Sequence, residues 1–581
     1  MKDMKRILVV ALLTATLSAC QNIFAAEPDL ILHGGKIVTV DRAFSIQSAI
    51  AIGGGRVIQV GDDATILKLK GAKTELVDLK GRTLIPGLMD SHVHPGSASL
   101  TEFDHPVPDM ESIEDVLAYI SARAKIVKPG DWIELRQVFI TRLKEQRYPT
   151  RAELDKAAPE NPVIFATGPD ASISSLALKV SGIDRDFKVS DGGPGFVEKD
   201  KVGEPTGILR NCSRFVKVVS TLRKPTDDEK IQRLAELFKD YNSVGLTTVC
   251  DRDAAVGTID LYTKMREKSA LSVRLAVSED VPYIGSTEQI SERIRGVAAR
   301  TLFKEHDDWL RVIGIKTYLD GGMLTGSAYM RKPWGVSDVY AITDPEYRGV
   351  LFIPKEKLRA MVKTTVECGL QFTAHSVGDG AVHQLLEVYD ELSKDMNVRA
   401  TRPSITHCNF QSKEAVELAA KLGVVMDIQP IWLYLDTRTL TKQFGNERLR
   451  YFQPLKSLFD AGVIVGGGSD HMQKIGSFRA INPYNPFLGM ATAITRRARW
   501  FDGQLHPEEA LTRAQALRFY TINNATILFC EDTRGSLEPG KFADMAILDR
   551  DILTCKEEEI SATNVLRTYV NGKLVFKAEK E

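Results

Sequence analysis

Four histidines, one aspartate and one lysine stand in this chain where they could share a metal ion. In Asp90-Ser91-His92-Val93-His94-Pro95 the histidines are two positions apart, and residues i and i+2 of an extended chain point the same way. Both imidazoles would then face one ion. His375 ends Gln371-Phe372-Thr373-Ala374-His375, His407 ends Ser404-Ile405-Thr406-His407, and Asp470 ends Gly466-Gly467-Gly468-Ser469-Asp470. Lys316 lies within the apolar run Val312–Leu319, which leads into Asp320-Gly321-Gly322. A lysine there is costly to bury unless it is neutral or paired. Taken singly, each residue has a plainer account. Histidines are commonly satisfied at strand ends, the lysine could pair with a buried carboxylate, and the aspartate could shape a turn or cap a helix.

The elements that would carry these residues decide between the accounts. Short apolar runs, read as buried strands, occur at Leu88–Ser91, Leu246–Cys250, Val273–Val277, Ile313–Leu319, Gln371–Ala374, Ser404–Thr406, Val424–Ile428 and Val463–Val465. Helical periodicity over Asp228–Asn242, Gly257–Lys268, Thr287–Phe303, Lys355–Cys368, Gly380–Leu392 and Lys413–Leu422 separates most of them. Eight such units close an α/β fold, a (β/α)8 TIM barrel. On this reading the candidate residues sit at the carboxyl ends of strands one, four, five, six and eight, the end where barrel enzymes place their chemistry. Six polar groups converging on one axis would be hard to justify energetically without a metal.

The gap after the first strand is too long for one crossover and holds further β-like runs at Trp132–Val138 and Val163–Ala166. Residues of about 97–225 therefore read as an insertion, a lid over the barrel mouth. Residues 28–83 and 530–577 carry short β runs divided by Gly-rich turns, of the spacing of an antiparallel sheet. Asn571-Gly572 is the strongest hairpin cue. Both ends are expected to build one composite β-sandwich beside a barrel spanning 84–529.

The 581 residues include 76 Lys+Arg and 76 Asp+Glu, with 43% hydrophobic and 26% charged residues. That is ordinary globular composition, and zero net charge supplies no field to gather nucleic acid. The expected partner is a small molecule, with self-association open. Lys2, Lys5 and Arg6 precede an apolar stretch, Ile7 to Leu17, too short for a stable membrane anchor and read as a signal peptide. It ends Leu17-Ser18-Ala19-Cys20, which resembles a bacterial lipoprotein processing box with Cys20 as the lipidated residue. The competing cut after Ala26 would place Phe24 where a small residue is wanted. Either way the expectation is export, to the periplasm, with any membrane contact made through an N-terminal lipid. The other cysteines, Cys212, Cys250, Cys368, Cys408, Cys530 and Cys555, have no C-x-x-C spacing and suggest neither a zinc ribbon nor a disulfide framework.

The ordered set His-x-His, Lys, His, His, Asp resembles the binuclear ligand set of the amidohydrolase superfamily. More narrowly the chain is similar to amidohydrolase family 3, which includes N-substituted formamide deformylases. Leu84-Ile85-Pro86-Gly87-Leu88-Met89-Asp90-Ser91-His92, Gly203-Glu204-Pro205-Thr206-Gly207, Gly468-Ser469-Asp470 and Gly535-Ser536-Leu537-Glu538-Pro539-Gly540-Lys541-Phe542-Ala543-Asp544 carry this likeness. It departs in two places. Gly322-Met323-Leu324-Thr325-Gly326-Ser327 stands where many relatives have a shorter segment, and Gly168-Pro169-Asp170-Ala171-Ser172 lacks a histidine often found near there.

The resemblance implies that His92, His94 and Asp470 bind one divalent ion and that His375 and His407 bind a second. Lys316, carbamylated to carboxylysine, would bridge them. Zinc suits the imidazole-rich set best, with manganese and iron as alternatives. A bridging hydroxide would attack a linear amide, N-acyl or N-formyl bond, with Asp470 moving the proton. Asp320, Tyr329, Arg331, Trp334 and His471 are candidate substrate contacts. His33, His105, His306, His383 and His506 have no ligand-compatible setting. The same chemistry could open a cyclic amide, lactone or phosphoester, and a non-catalytic barrel lipoprotein is the remaining class.

Overall fold

The computed structural model describes residues 27–579 apart from Gln137, Pro194 and Leu222. The segment expected to be a signal peptide, with Cys20, lies outside the described residues.

Eight strands form one parallel sheet in chain order: Leu88–Val93, Leu246–Ala254, Arg274–Asp280, Leu310–Tyr318, Gln371–Ser376, Ser404–His407, Val425–Ile428 and Val465–Gly467. The sheet rolls into a cylinder. Just past the eighth strand, Asp470 N donates to His92 O at 2.8 Å and His94 N donates to His471 O at 2.7 Å. Lower down, Asn524 Nδ2 ties Met89 O to Gly467 O, each at 2.7 Å. The fold is thus the distorted (β/α)8 barrel expected, with its apolar layer between strands and outer helices, Val249, Val277, Ile315 and Phe372 among its buried members.

Several boundaries differ from the sequence reading. The first strand runs on to Val93, so His92 is within it, and the eighth begins two residues later, at Val465. The helix expected over Thr287–Phe303 ends at Ala299, and a short helix, Thr301–Lys304, follows Arg300 in extended conformation. The crossover between strands seven and eight begins with a helix the periodicity did not reveal, Pro430–Arg448. Ile431, Trp432, Leu433, Leu435 and Leu440 are all buried, because the helix is gripped between the barrel and the insertion. A helix covered on several sides carries no apolar stripe to read.

The insertion has a five-stranded sheet of its own, in the order Phe196–Lys199, Pro205–Arg210, Ala171–Ile173, Val163–Ala166, Ile133–Arg136. The chain ends build two further sheets. One is wholly N-terminal, ordered Arg56–Gly61, Ala49–Gly53, Leu30–His33, Glu75–Asp78. The other joins Lys36–Val38, Ile46–Gln47 and Thr83–Pro86 to the C-terminal strands Met545–Leu548, Val565–Val570 and Lys573–Lys577. Leu32, Ile37, Val57, Leu84, Met545 and Ile547 belong to the apolar core they share. The antiparallel pairing expected holds for most neighbours and is corrected at two: Leu30–His33 pairs parallel with Glu75–Asp78, and Lys36–Val38 with Thr83–Pro86. The helix Asp63–Ile66 lies on the crossover that returns the chain in the same direction. Asn571 and Gly572 both have positive φ, 55° and 69°, as the tight turn between the last two strands requires.

Candidate metal centre

The cavity at the carboxyl end of the barrel has a volume of about 280 Å³. His92, His94, Lys316, His375, His407 and Asp470 all line it. Four different strands and the turn after the eighth supply them, so the chain brings together residues up to 378 positions apart (470 − 92) by closing one cylinder.

His92 and His94 share a face through the extended backbone, and both approach one oxygen of Asp470. His94 Nε2 lies 3.0 Å and His92 Nε2 3.4 Å from Asp470 Oδ1. These three side chains can offer one ligand atom each within 4.8 Å of one another. On the opposite wall the His375 and His407 rings are 4.5 Å apart, and the His92 ring is 4.9 Å from that of His407. His407 is held from behind: its Nδ1 meets Gln429 Oε1 at 2.7 Å and its ring stacks on Trp432 at 4.7 Å.

Backbone geometry at the site is unusual. His407 and Asp470 have φ of 72° and 58°, a region uncommon for residues other than glycine and frequent at functional sites. Gly468 has a separate reason to be glycine, since a Cβ there would collide with the Asp90 carboxylate. That carboxylate accepts hydrogen bonds from Ser469 N at 3.0 Å and His92 N at 3.0 Å, clamping the Asp470 turn to the first strand.

Burial keeps three of the four imidazoles neutral; at His94 burial also opposes the charge, but the hydrogen bond and charge of Asp470 outweigh it and raise that ring above the usual histidine value. His92 and His407 are held well below the usual histidine range by burial, with the Lys316 charge adding to it. His375 falls to about 3 for the same two reasons. Burial also pushes Lys316 below the usual lysine range, although Asp253 and Asp470 oppose it. Among the described residues no carboxylate lies within ion-pairing distance of the Lys316 amine, which stands over the Tyr318 ring, 5.2 Å from its centre. The salt-bridge account of this lysine therefore finds no partner.

The donor set fits a transition-metal centre. His92 Nδ1 and Nε2 and His375 Nε2 are buried without hydrogen-bond partners among the described residues. Leaving three buried ring nitrogens unmet would be costly, and neutral imidazoles beside a carboxylate are the ligands a borderline-soft divalent ion takes.

The candidate substrate contacts divide. Asp320 lines the cavity, but its carboxylate also accepts from Val377 N, Gly378 N and Tyr329 N at 2.8–2.9 Å, tying the fourth-strand loop to the fifth. Burial raises it to about 8. Tyr329, Arg331, Trp334 and His471 are not among the residues lining this cavity. Trp334 is buried, with Nε1 donating to Ala328 O at 2.8 Å. Arg331 lies outside near His383, 3.1 Å away. His471 is buried between Tyr241 Oη, 2.7 Å from Nδ1, and the carbonyls of Gln473 and Lys474.

Sequence reasoning missed Arg252, Asp427, Asp253 and Trp432. Arg252 is fully buried, donating to Ser91 O at 3.0 Å beside the candidate ligand His92 and pairing with Asp427 at 3.3 Å. Asp253 lines the cavity and accepts from Tyr318 Oη at 2.8 Å. An arginine within an apolar strand, Thr247-Thr248-Val249-Cys250-Asp251-Arg252, was a signal of the same kind as Lys316. The segments that depart from the family pattern both reach the cavity: Gly322, Leu324 and Thr325 on one side, Gly168 and Pro169 on the other.

The profile described as "Amidohydrolase family" matches residues 75–576. The chain is 27% identical over 557 residues to the N-substituted formamide deformylase of Arthrobacter pascens, covering 94% of this chain and 98% of that protein. It is 26% identical over 561 residues to Protein LONG AFTER FAR-RED 3 of Arabidopsis thaliana, covering 94% and 91% respectively. Among solved structures, an uncharacterized metal-dependent hydrolase from Pyrococcus horikoshii superposes with a TM-score of 0.66 at 21% identity, covering 91% of this chain and 99% of that one.

Proposed function

This chain belongs to the amidohydrolase family and is a hydrolase of carbon–nitrogen bonds other than peptide bonds; from that premise we propose that its substrate is a linear amide, an N-formyl or N-acyl compound. The observation that carries this reading is the convergence of His92, His94, Lys316, His375, His407 and Asp470 on one cavity, together with its likeness to a formamide deformylase over almost the whole chain.

In the proposed arrangement His92, His94 and Asp470 hold one ion, and His375 and His407 hold the other, zinc being the first choice and manganese or iron the alternatives. When bound, such ions lower the pKa of water and polarise the substrate carbonyl. The chain's own residues do the rest. The buried Lys316 amine, once neutral, adds carbon dioxide and releases one proton, and the carbamate supplies two anionic oxygens between the two ligand groups. Asp470 takes a proton from the attacking water and returns it to the leaving nitrogen, so that amide and water become carboxylic acid and amine. Phe139, Thr167, Gly168 and Pro169 of the insertion lie over the cavity and limit the entry of bulk water.

Metal analysis and a substrate panel test this reading. We expect one to two equivalents of a divalent transition ion in purified protein, loss of N-formyl or N-acyl hydrolysis on chelation, and its return with the ion. Undiminished turnover by metal-free protein, or turnover confined to lactones and phosphotriesters, would sink it.

A further inference from the structure

A second, larger chamber of about 650 Å³ adjoins the metal-centre cavity, and Ser97, Phe139 and Met472 line both. It lies between the insertion and the segments after the seventh and eighth strands. We propose that this chamber is a subsite for an uncharged, largely apolar arm of the substrate, which passes from the metal centre through a neck formed by those three residues. The inference rests on the amide-hydrolase reading and names the kind of amide.

The neck has a fixed wall. Phe139 is buried, with the Arg142 guanidinium 5.0 Å from its ring centre. Arg142 in turn pairs with Asp436 at 3.0 Å and donates to Ile481 O at 2.7 Å and Asn482 Oδ1 at 2.8 Å. One side of the opening is therefore set by packed side chains, while Ser97 and the half-buried Met472 complete it.

The wall of the chamber offers no unpaired charge among the described residues. Its basic and acidic side chains already have partners: Lys474 with Asp109 at 2.8 Å, Arg479 with Glu102 at 2.9 Å, and the others likewise. Met110, Leu135, Tyr434 and Leu488 supply apolar surface between them. A charged arm would lose hydration and meet no free counter-ion, whereas each methylene of an apolar arm gains by leaving water.

Two homologous series distinguish which side of the amide carries the arm: formamides lengthened on nitrogen, and N-methylamides lengthened on the acyl chain. We expect kcat/KM in one series to rise about fourfold per methylene beyond the neck. Met110→Trp, which fills the chamber at a residue that does not line the metal-centre cavity, should cost the longest member at least tenfold and the shortest less than twofold. Leu488→Trp is a second filling variant if the first does not fold. Calorimetric binding of alkyl hydroxamates of increasing length reads the chamber without turnover. Length-independent kinetics and binding, or equal losses for short and long members, would overturn the subsite while leaving the metal centre intact. Failure to hydrolyse any amide beside length-dependent hydroxamate binding would instead count against the amide reading and support the chamber.

Discussion

Lys316 and Asp470 line one cavity, yet the physics asks different things of them. The amine must lose its proton to react, and burial without an acid partner moves it that way. The carboxylate must stay at the ligand face, where it meets both His92 and His94. Lys316→Ala should remove the bridging group and leave a cavity that millimolar acetate or propionate can enter, restoring part of the activity. Lys316→Arg should remain inactive, because guanidinium stays protonated to beyond about pH 12 and cannot form a carbamate. Asp470→Asn keeps the shape but not the proton acceptor, so turnover should fall at least about a hundredfold without rescue by carboxylic acids. Steady-state assays of these variants with and without added acid decide the point; bicarbonate-independent, near-normal activity of Lys316→Arg would remove the carbamate.

Between elements, the insertion does more than cover the barrel. Thr141 and Arg142 reach down to Asp436 in the helix Pro430–Arg448 at 2.9 and 3.0 Å, and Arg142 also reaches Asn482 beyond the eighth strand. Asn482 Nδ2 donates to Asp470 O at 2.6 Å, so the lid is joined to a candidate metal ligand through one amide. Groups that orient metal ligands typically cost about 10- to 100-fold in metal affinity or activity when removed. Asn482→Ala should therefore lower metal affinity by about that factor while leaving secondary structure unchanged, as measured by metal-buffer titration and circular dichroism. Unchanged metal affinity would reduce Asn482 to a packing residue. Arg142→Ala is a poorer probe, because it strands the buried Asp436 carboxylate and threatens the fold itself.

For the molecule as a whole, the sandwich and the barrel are bolted together by a buried ion pair. Arg274 opens the third barrel strand and Asp544 precedes the C-terminal strand Met545–Leu548; their side chains meet at 2.7 and 3.1 Å. Burial pushes the Asp544 carboxyl upward, but the Arg274 charge and its hydrogen bonds outweigh it, and the folded value is lowered. A carboxylate depressed in the folded state contributes stability that is present above its unfolded value, about 3.9, and is lost as pH falls through the folded one. Asp544→Asn strands a buried guanidinium and should cost about 3–5 kcal/mol near pH 7. The gap in Tm between variant and wild type should be steady above about pH 5 and shrink below about pH 4. A gap that grows in acid would contradict the assignment.

Much of the site was legible in the chain alone, because a barrel strand announces itself by a short apolar run and a polar residue at its end stands out against that run. The His-x-His pair, Lys316, His375, His407 and Asp470 were each visible in this way, and the cylinder brings all six to one cavity. What periodicity could not reveal was anything whose environment is made by distant chain. The helix Pro430–Arg448 is buried on several sides and so lacks an apolar stripe. Trp334 and His471 have residue types suited to recognition, but tertiary packing turned both away from the cavity and satisfied their polar atoms elsewhere. Arg252 reads as one charge in a strand until the barrel closes and sets Asp427 and Ser91 O beside it. Residue type and local spacing determine which groups can ligate a metal. Only the closure of the cylinder and the seating of the insertion decide which groups meet, because desolvation and hydrogen-bond partners depend on neighbours hundreds of residues away.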